Sequence, residues 1–264
     1  MTNLARAPSV FLSTPARVER EPRPVRAWAL LLMSGITICL ASIVMLIAGT
    51  LTLFRARWLY RGMARVLSLF ILRLYGIRIR VHRAGPLPGG QTVFVSNHTS
   101  SLDLFVLVAL GLPNSRFFLS GFLRKLIPLG IISRMLGTFF TVPQDRPQER
   151  VKIFQQAERV LRWTGESVYL SPEGGRVTTG EIGRFNKGAF HLAMSLQATI
   201  VPFYIRIPAE VDPRLGFDAR PGIVDVFFLP AIETREWTMA ELSDNITTVR
   251  RVMTRAHQEL SCAP

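Results

Sequence analysis

The chain has 264 residues, nearly half of them hydrophobic, with 32 basic against 18 acidic side chains and a formal net charge of +14. That composition excludes a disordered chain, and the length suits one catalytic-sized domain with an appendage. The arginine excess implies an anionic partner, namely nucleic acid, a phospholipid surface, a phosphorylated substrate or an acidic carrier protein.

Residues 1–26 place Pro8, Pro15, Pro22 and Pro24 among arginines and read as a basic arm. From Ala27 to Phe54 no residue is charged. As a helix this stretch would measure ~42 Å, against ~30 Å of bilayer hydrocarbon. The pattern predicts membrane contact, either as one tilted span or as a re-entrant hairpin bent near Gly35, Ser42 or Gly49. A cleaved signal peptide fits poorly, because Phe54-Arg55-Ala56-Arg57 is no small-residue cleavage site. Arginines flank both ends, with Arg17, Arg20, Arg23 and Arg26 before and Arg55, Arg57, Arg61 and Arg65 after. That symmetry favours a hairpin with both ends cytoplasmic. In the next stretch, WLYRGMARVLSLFILRLYG, Arg61 and Arg65 lie one helical turn apart. A helix on the headgroup plane, arginines on phosphates, suits this spacing; a core helix with a solvated arginine edge is the other reading. Residues 27–75 thus form a membrane-associated helical segment ahead of a domain at 76–264.

From residue 76 short strands alternate with helices. Strands are predicted at 77–82, 92–96, 116–120, 137–142, 167–171, 198–207 and 223–229. Helices are predicted near 101–111, 121–136, 146–164, 185–196 and 239–260, the last entered by a capping box, Thr238-x-x-Glu241. Such alternation predicts an α/β fold with a mixed, largely parallel sheet flanked by helices. Pro202, inside a strand-like run, suggests an edge or a bulge. There is no internal repeat and no dinucleotide-type glycine loop. Cys39 lies in an apolar run and Cys262 near the end, so no structural disulfide is expected. His82, His98, His191 and His257 are scattered, so neither a protein-built metal site nor a cofactor is expected.

Two stretches can carry chemistry. In NHTSSLD, residues 97–103, a strand ends and a helix begins, the place where α/β sheets put their sites. Ser100-x-x-Asp103 is itself a capping box, which accounts for Ser100 and Asp103 by folding alone. It leaves His98 unexplained. A hydroxyl nucleophile needs a base titrating near neutrality, and a carboxylate on the far ring nitrogen fixes that base's tautomer. The second stretch is SPEGGRV, residues 171–177. Gly174 and Gly175 let backbone amides approach an anion, Arg176 supplies a charged fork, and Glu173 can hold the loop or orient the arginine. No lysine–Ser/Thr pair follows, so it is no Walker loop. Lys187, in GRFNKGAF, sits at a helix start and can reach an anion or be solvated.

In this order the stretches resemble the glycerolipid acyltransferase family, typified by 1-acylglycerol-3-phosphate acyltransferases. Asn97, His98 and Asp103 match its N-H-x-x-x-x-D block. Pro172, Glu173, Gly174 and Arg176 match F-P-E-G-T-R-S, Phe185, Lys187 and Gly188 the F-x-K-G after it, and Val201-Pro202 the V-P pair. Ser171, Gly175 and Val177 depart from the pattern. In the remaining block, near Gly137 to Pro143, Pro143 stands for an arginine, and Arg146 lies three residues on. The resemblance implies a membrane-bound enzyme at the cell inner membrane with its catalytic domain facing the cytoplasm. His98, oriented by Asp103, would deprotonate a lysophospholipid hydroxyl that attacks acyl-CoA or an acyl carrier protein thioester. Glu173, Gly174, Gly175 and Arg176, with Lys125, Arg146 and Lys187, would bind the substrate. The expected acceptor is 1-acyl-sn-glycerol-3-phosphate. The departures admit another lyso-lipid, such as lyso-ornithine lipid, and a non-catalytic membrane-binding protein is the rival on the same fold. The basic charge gathers around the apolar segment, without a recognition motif, so an anionic membrane surface is expected as partner and nucleic acid is not.

Overall fold

The structure, a computed structural model, describes residues 24–179, 181–213 and 216–261, so most of the basic arm lies outside the described residues. Two helices come first, α1 (Pro24–Leu51) and α2 (Arg57–Leu74). α1 runs unbroken past Gly35, Ser42 and Gly49, so the bend expected within the apolar segment is not there. The chain reverses after the helix instead, where Leu53 and Phe54 both take positive φ, 50° and 57°. Gly49 permits this reversal, since a Cβ there would lie 2.6 Å from the Phe54 ring.

One stripe of α1 is buried, through Ala27, Ser34, Ile38, Ser42 and Met45. Trp28, Leu32, Ile36, Leu40, Ile43 and Ile47 are exposed. A core helix this apolar would be covered on all sides. α1 is long and apolar enough to cross a membrane. α2 buries Tyr60, Ala64, Leu67 and Ile71. Arg61 and Arg65 do not point away toward headgroups as the spacing suggested. Arg57 and Arg61 pair with buried Glu166, and Arg65 Nε donates to Ala109 O at 3.1 Å. A buried carboxylate without counter-charge is costly, and the last carbonyls of a helix lack internal partners; both draw these side chains inward.

Seven strands follow: β1 (Ile77–His82), β2 (Thr92–Ser96), β3 (Ser115–Ser120), β4 (Phe139–Thr141), β5 (Ser167–Tyr169), β6 (Thr199–Arg206) and β7 (Gly222–Phe228). Their order is β1-β7-β6-β2-β5-β3-β4. Only β6 and β7 pair antiparallel; the other neighbours are parallel. Helices α3 (Asp103–Leu110), α4 (Ile127–Met135), α5 (Pro147–Thr164), α6 (Gly188–Leu196) and α7 (Leu242–Ser261) complete the domain. The sheet has a core on each face. Phe94 points into the one built with α1 to α4, and Val93 and Val95 into the one built with α5 to α7. A strand covered on both faces reads as a continuous apolar run, which TVFV is.

Two local expectations are corrected. Pro202 lies on an interior strand, not an edge. Beyond the last paired residues, Phe203 and Phe228, Leu229 N–H still donates to Pro202 O at 2.9 Å, so the proline forfeits only the bond that its own N–H would make. Thr238 and Glu241 do bond, Oγ1 to Oε2 at 2.9 Å, but α7 begins only at Leu242. The Glu241 carbonyl, accepting the Asp244 and Asn245 N–H groups at 3.0 Å, starts the helix.

Candidate active site

β2, β5, β3 and β4 are mutually parallel neighbours, so the loops after their carboxyl ends share one edge. NHTSSLD follows β2 and SPEGGRV follows β5, the adjacent strand. His98 Nδ1 lies 2.6 Å from Asp103 Oδ2. The same oxygen accepts the Thr99 and Ser100 N–H groups at 2.9 and 3.0 Å. Asp103 is buried, and its acceptor-only carboxylate places the imidazole proton on Nδ1. Nε2 is then the open lone pair, and no described residue bonds to it. The ring is about one-third exposed, enough to meet a substrate.

The turn that carries His98 is held from below. Asn97 is buried, its Nδ2 donating to Ile205 O at 3.0 Å and its Oδ1 accepting Ile205 N–H at 2.8 Å. Ser100 Oγ donates to Asp212 at 2.5 Å, and Ser101 Oγ to Gly216 O at 2.9 Å, tying in the loop after β6.

Glu173 lies against the histidine's backbone. Its Oε2 accepts the His98 N–H at 2.8 Å and its Oε1 the Gly183 N–H at 2.8 Å. Of the two roles open to it, holding the loop is therefore the one its oxygens serve. Burial pushes its carboxyl above the ordinary range, although both amides oppose the shift. Val177 N–H donates to His98 O at 2.8 Å, so the two loops are laced together. Asn186 adds a further tie, giving its Nδ2 to Glu173 O at 2.9 Å and its N–H to Pro172 O at 2.7 Å.

The two glycines differ. Gly174 has φ +70°, and a Cβ there would sit 2.5 Å from Asn186 Nδ2. Gly175 faces open space. Arg176 is exposed on the same loop. Lys187 immediately precedes α6, where with Asn186, Gln144, Arg150 and His191 it borders a cavity of about 570 Å³ between α5 and α6. Lys125 and Arg146 follow β3 and β4, two and three strands from β2. At ~4.8 Å per strand that is ~10 and ~14 Å along the edge. Arg146 is largely exposed, 3.7 Å from Glu149. The structure thus joins His98, Asp103 and the Glu173–Arg176 loop closely, and sets Lys125 and Arg146 further along. Among the described residues no cluster of three or more His, Cys, Asp or Glu side chains has metal-binding geometry.

Sequence reasoning saw the motif asparagines without their work. Asn97 was marked as the first residue of the N-H-x-x-x-x-D block, and Asn186 only by lying within FNKG.

Comparison with known proteins bears on this arrangement. Residues 78–206 match the family described as Acyltransferase. The chain is 31% identical over 195 residues to the human 1-acyl-sn-glycerol-3-phosphate acyltransferase beta, covering 72% of this chain and 68% of that one. This chain belongs to the glycerolipid acyltransferase family. A family member from Limnanthes douglasii, a 1-acyl-sn-glycerol-3-phosphate acyltransferase, is 24% identical over 200 residues, spanning 70% of this chain but 65% of its own length. The crystal structure of the 1-acyl-sn-glycerophosphate acyltransferase PlsC from Thermotoga maritima superposes with a TM-score of 0.74 at 18% identity, covering 91% of this chain and 96% of that one. At that identity the likeness shows the shared fold.

Proposed function

We propose that this family member is a membrane-bound O-acyltransferase. It moves a fatty acyl group from a thioester, acyl-CoA or acyl carrier protein, to the hydroxyl of 1-acyl-sn-glycerol-3-phosphate. The observation that carries the reading is the His98–Asp103 pair, with Nε2 open at the edge where the Glu173–Arg176 loop comes in. His98 Nε2 takes the proton from the acceptor hydroxyl as its oxygen attacks the thioester carbonyl. The buried Asp103 carboxylate stabilises the imidazolium that forms. The C–S bond breaks, the departing thiolate takes the proton back from His98, and the ester is released. No group on the protein carries the acyl chain between steps. Arg176, with the amides around Gly174 and Gly175, meets the acceptor phosphate, and Lys187 flanks it; Lys125 and Arg146 lie further along the same edge. Glu173 serves by fixing the loop against His98.

The apolar face of α1 supports contact with a bilayer, and the basic residues around it suit anionic headgroups. We place the protein at the cell inner membrane, with the sheet domain on the cytoplasmic side. The test is acyl transfer by purified full-length protein to lysophosphatidic acid, lysophosphatidylcholine and lyso-ornithine lipid, with acyl-CoA and acyl carrier protein donors in parallel. Preference for lysophosphatidic acid is the expected result. Preference for an acceptor lacking the phosphate monoester would reassign the loop, and binding of lipids without turnover by any pair would make the protein a non-catalytic relative.

A further inference from the structure

At the opposite end of the sheet from His98, cationic side chains converge around a single acid. Glu166 immediately precedes β5, next to Ser167, whose hydroxyl accepts the Thr92 N–H at the start of β2 at 3.1 Å. His98 lies six positions beyond Thr92, along β2 and its exit. At ~3.3 Å each, the Glu166 end lies ~20 Å from the histidine. The Glu166 carboxylate is buried and receives Arg116 Nε at 2.6 Å, Arg57 at 2.9 and 3.1 Å, and Arg61. One negative charge answers three guanidinium groups, and Arg61 Nε is buried without a hydrogen-bond partner among the described residues.

Beside this cluster a cavity of about 450 Å³ opens between the α1–α2 turn and α4. Arg57, Arg116 and Arg134 supply its charge, and none of its lining residues is acidic. Arg134, in the last turn of α4, is exposed and makes no side-chain bond with a described residue. Leu46, Phe54 and Met135 form the apolar wall. Leu51 at the end of α1, Leu53 next to Phe54 in the turn and Trp58 next to Arg57 in α2 are all strongly exposed. Burial draws the Arg116 guanidinium below its ordinary pKa, Glu166 opposes this, and the charges of Arg57 and Arg61 add to the lowering. A second anion would relieve that repulsion.

We propose that this cavity binds the phosphodiester headgroup of an anionic phospholipid, its acyl chains lying along the exposed apolar end of α1. The guanidinium forks match phosphate oxygens, and the absence of a lining acid leaves the site net positive. The volume holds a headgroup and not a whole lipid, so the chains must lie outside, where the apolar rim awaits cover. A soluble anion would satisfy the arginines and leave that rim bare. The site is separate from the acceptor loop, and its occupancy does not depend on the acyl-transfer reading.

The test counts lipids bound to full-length protein in dodecyl maltoside by native mass spectrometry, titrating dioctanoyl phosphatidylglycerol. Saturable binding of one lipid is expected, with a Kd raised about tenfold or more in Arg134→Gln, the loss of one charge-assisted contact. Arg134 has no side-chain partner among the described residues to lose, so this variant folds. Arg73→Gln removes the same charge from an exposed position in the last turn of α2, and Arg176→Ala weakens the acceptor loop; both should leave the Kd unchanged. Equal weakening by Arg73→Gln would reduce the effect to diffuse surface charge and overturn the site. Loss of binding in Arg176→Ala would place the lipid at the acceptor loop instead. Equal affinity for sn-glycerol 3-phosphate would make the ligand a soluble anion, and equal affinity for dioctanoyl phosphatidylcholine would remove charge recognition; either contradicts the proposal.

Discussion

Asp103 Oδ2 stands 2.6 Å from His98 Nδ1 while accepting two backbone N–H groups at the entry to α3. One oxygen therefore both ties down the turn that leads into α3 and orients the base. The helix entry fixes the carboxylate, and the carboxylate fixes the ring, so folding and catalysis are joined at a single atom. The His98 side chain takes no part in holding that turn, which makes the two roles separable by substitution.

Asp103→Asn can keep an oxygen for the amides and the imidazole but removes the charge that stabilises an imidazolium. Acyl transfer should fall ~10²–10⁴-fold with the fold retained. Asp103→Ala also leaves the Thr99 and Ser100 N–H groups without their acceptor and should cost a further ~1–3 kcal/mol. Single-turnover rates and urea midpoints read the two effects; equal stability of the two variants would contradict the turn-holding role.

The two loop glycines should fail in different ways. Gly174→Ala forces a side chain into a left-handed backbone and onto the Asn186 amide, so it should lower stability and turnover together. Gly175→Ala has room for its methyl, and should leave the melting temperature unchanged while raising the acceptor KM. An unaltered KM in Gly175→Ala would remove that residue from the phosphate site.

Most of the sheet was legible because strands buried on both faces are short apolar runs, as in TVFV. The His98–Asp103 pair was legible because a histidine after a core strand has no folding reason to be there. What could not be read was long-range. Nothing near Asn97 announces Ile205, 108 positions away, as its partner, and Arg57, Arg61 and Arg116 meet Glu166 only through the fold. The same blindness misread Arg61 and Arg65 as headgroup ligands. An arginine at an apolar helix edge looks alike whether its anion is a lipid phosphate or a buried glutamate.

Asn97→Ala should be mainly a stability variant. It orphans the buried N–H and C=O of Ile205, at ~1–3 kcal/mol for each group. Chemical denaturation should show the loss; a variant as stable as the parent would mean that the pair contributes nothing.

Stability should also fall in acid through Glu166. Burial alone would raise its carboxyl, but the hydrogen bond and charge of Arg116, with Arg57, hold it below the ordinary range. A lowered folded value means that pairing stabilises the protein above the unfolded pKa of ~4.3, and that the benefit fades as pH falls through the folded value. Glu166→Gln should cost ~3–5 kcal/mol near neutrality, since three arginines lose their counter-charge. The gap between parent and variant should narrow below about pH 4. A gap independent of pH would show that the charge is not what Glu166 contributes.

The most direct measurement is transfer of a labelled acyl group from acyl-CoA or acyl carrier protein to 1-acyl-sn-glycerol-3-phosphate by the purified full-length protein and its His98→Ala variant, with melting curves taken beside it. The expected result is turnover by the parent, at least ~100-fold less by the variant, and matching melting temperatures. Undiminished transfer by a folded His98→Ala protein would contradict His98 as the base, and no transfer by the parent with either donor would contradict the reaction.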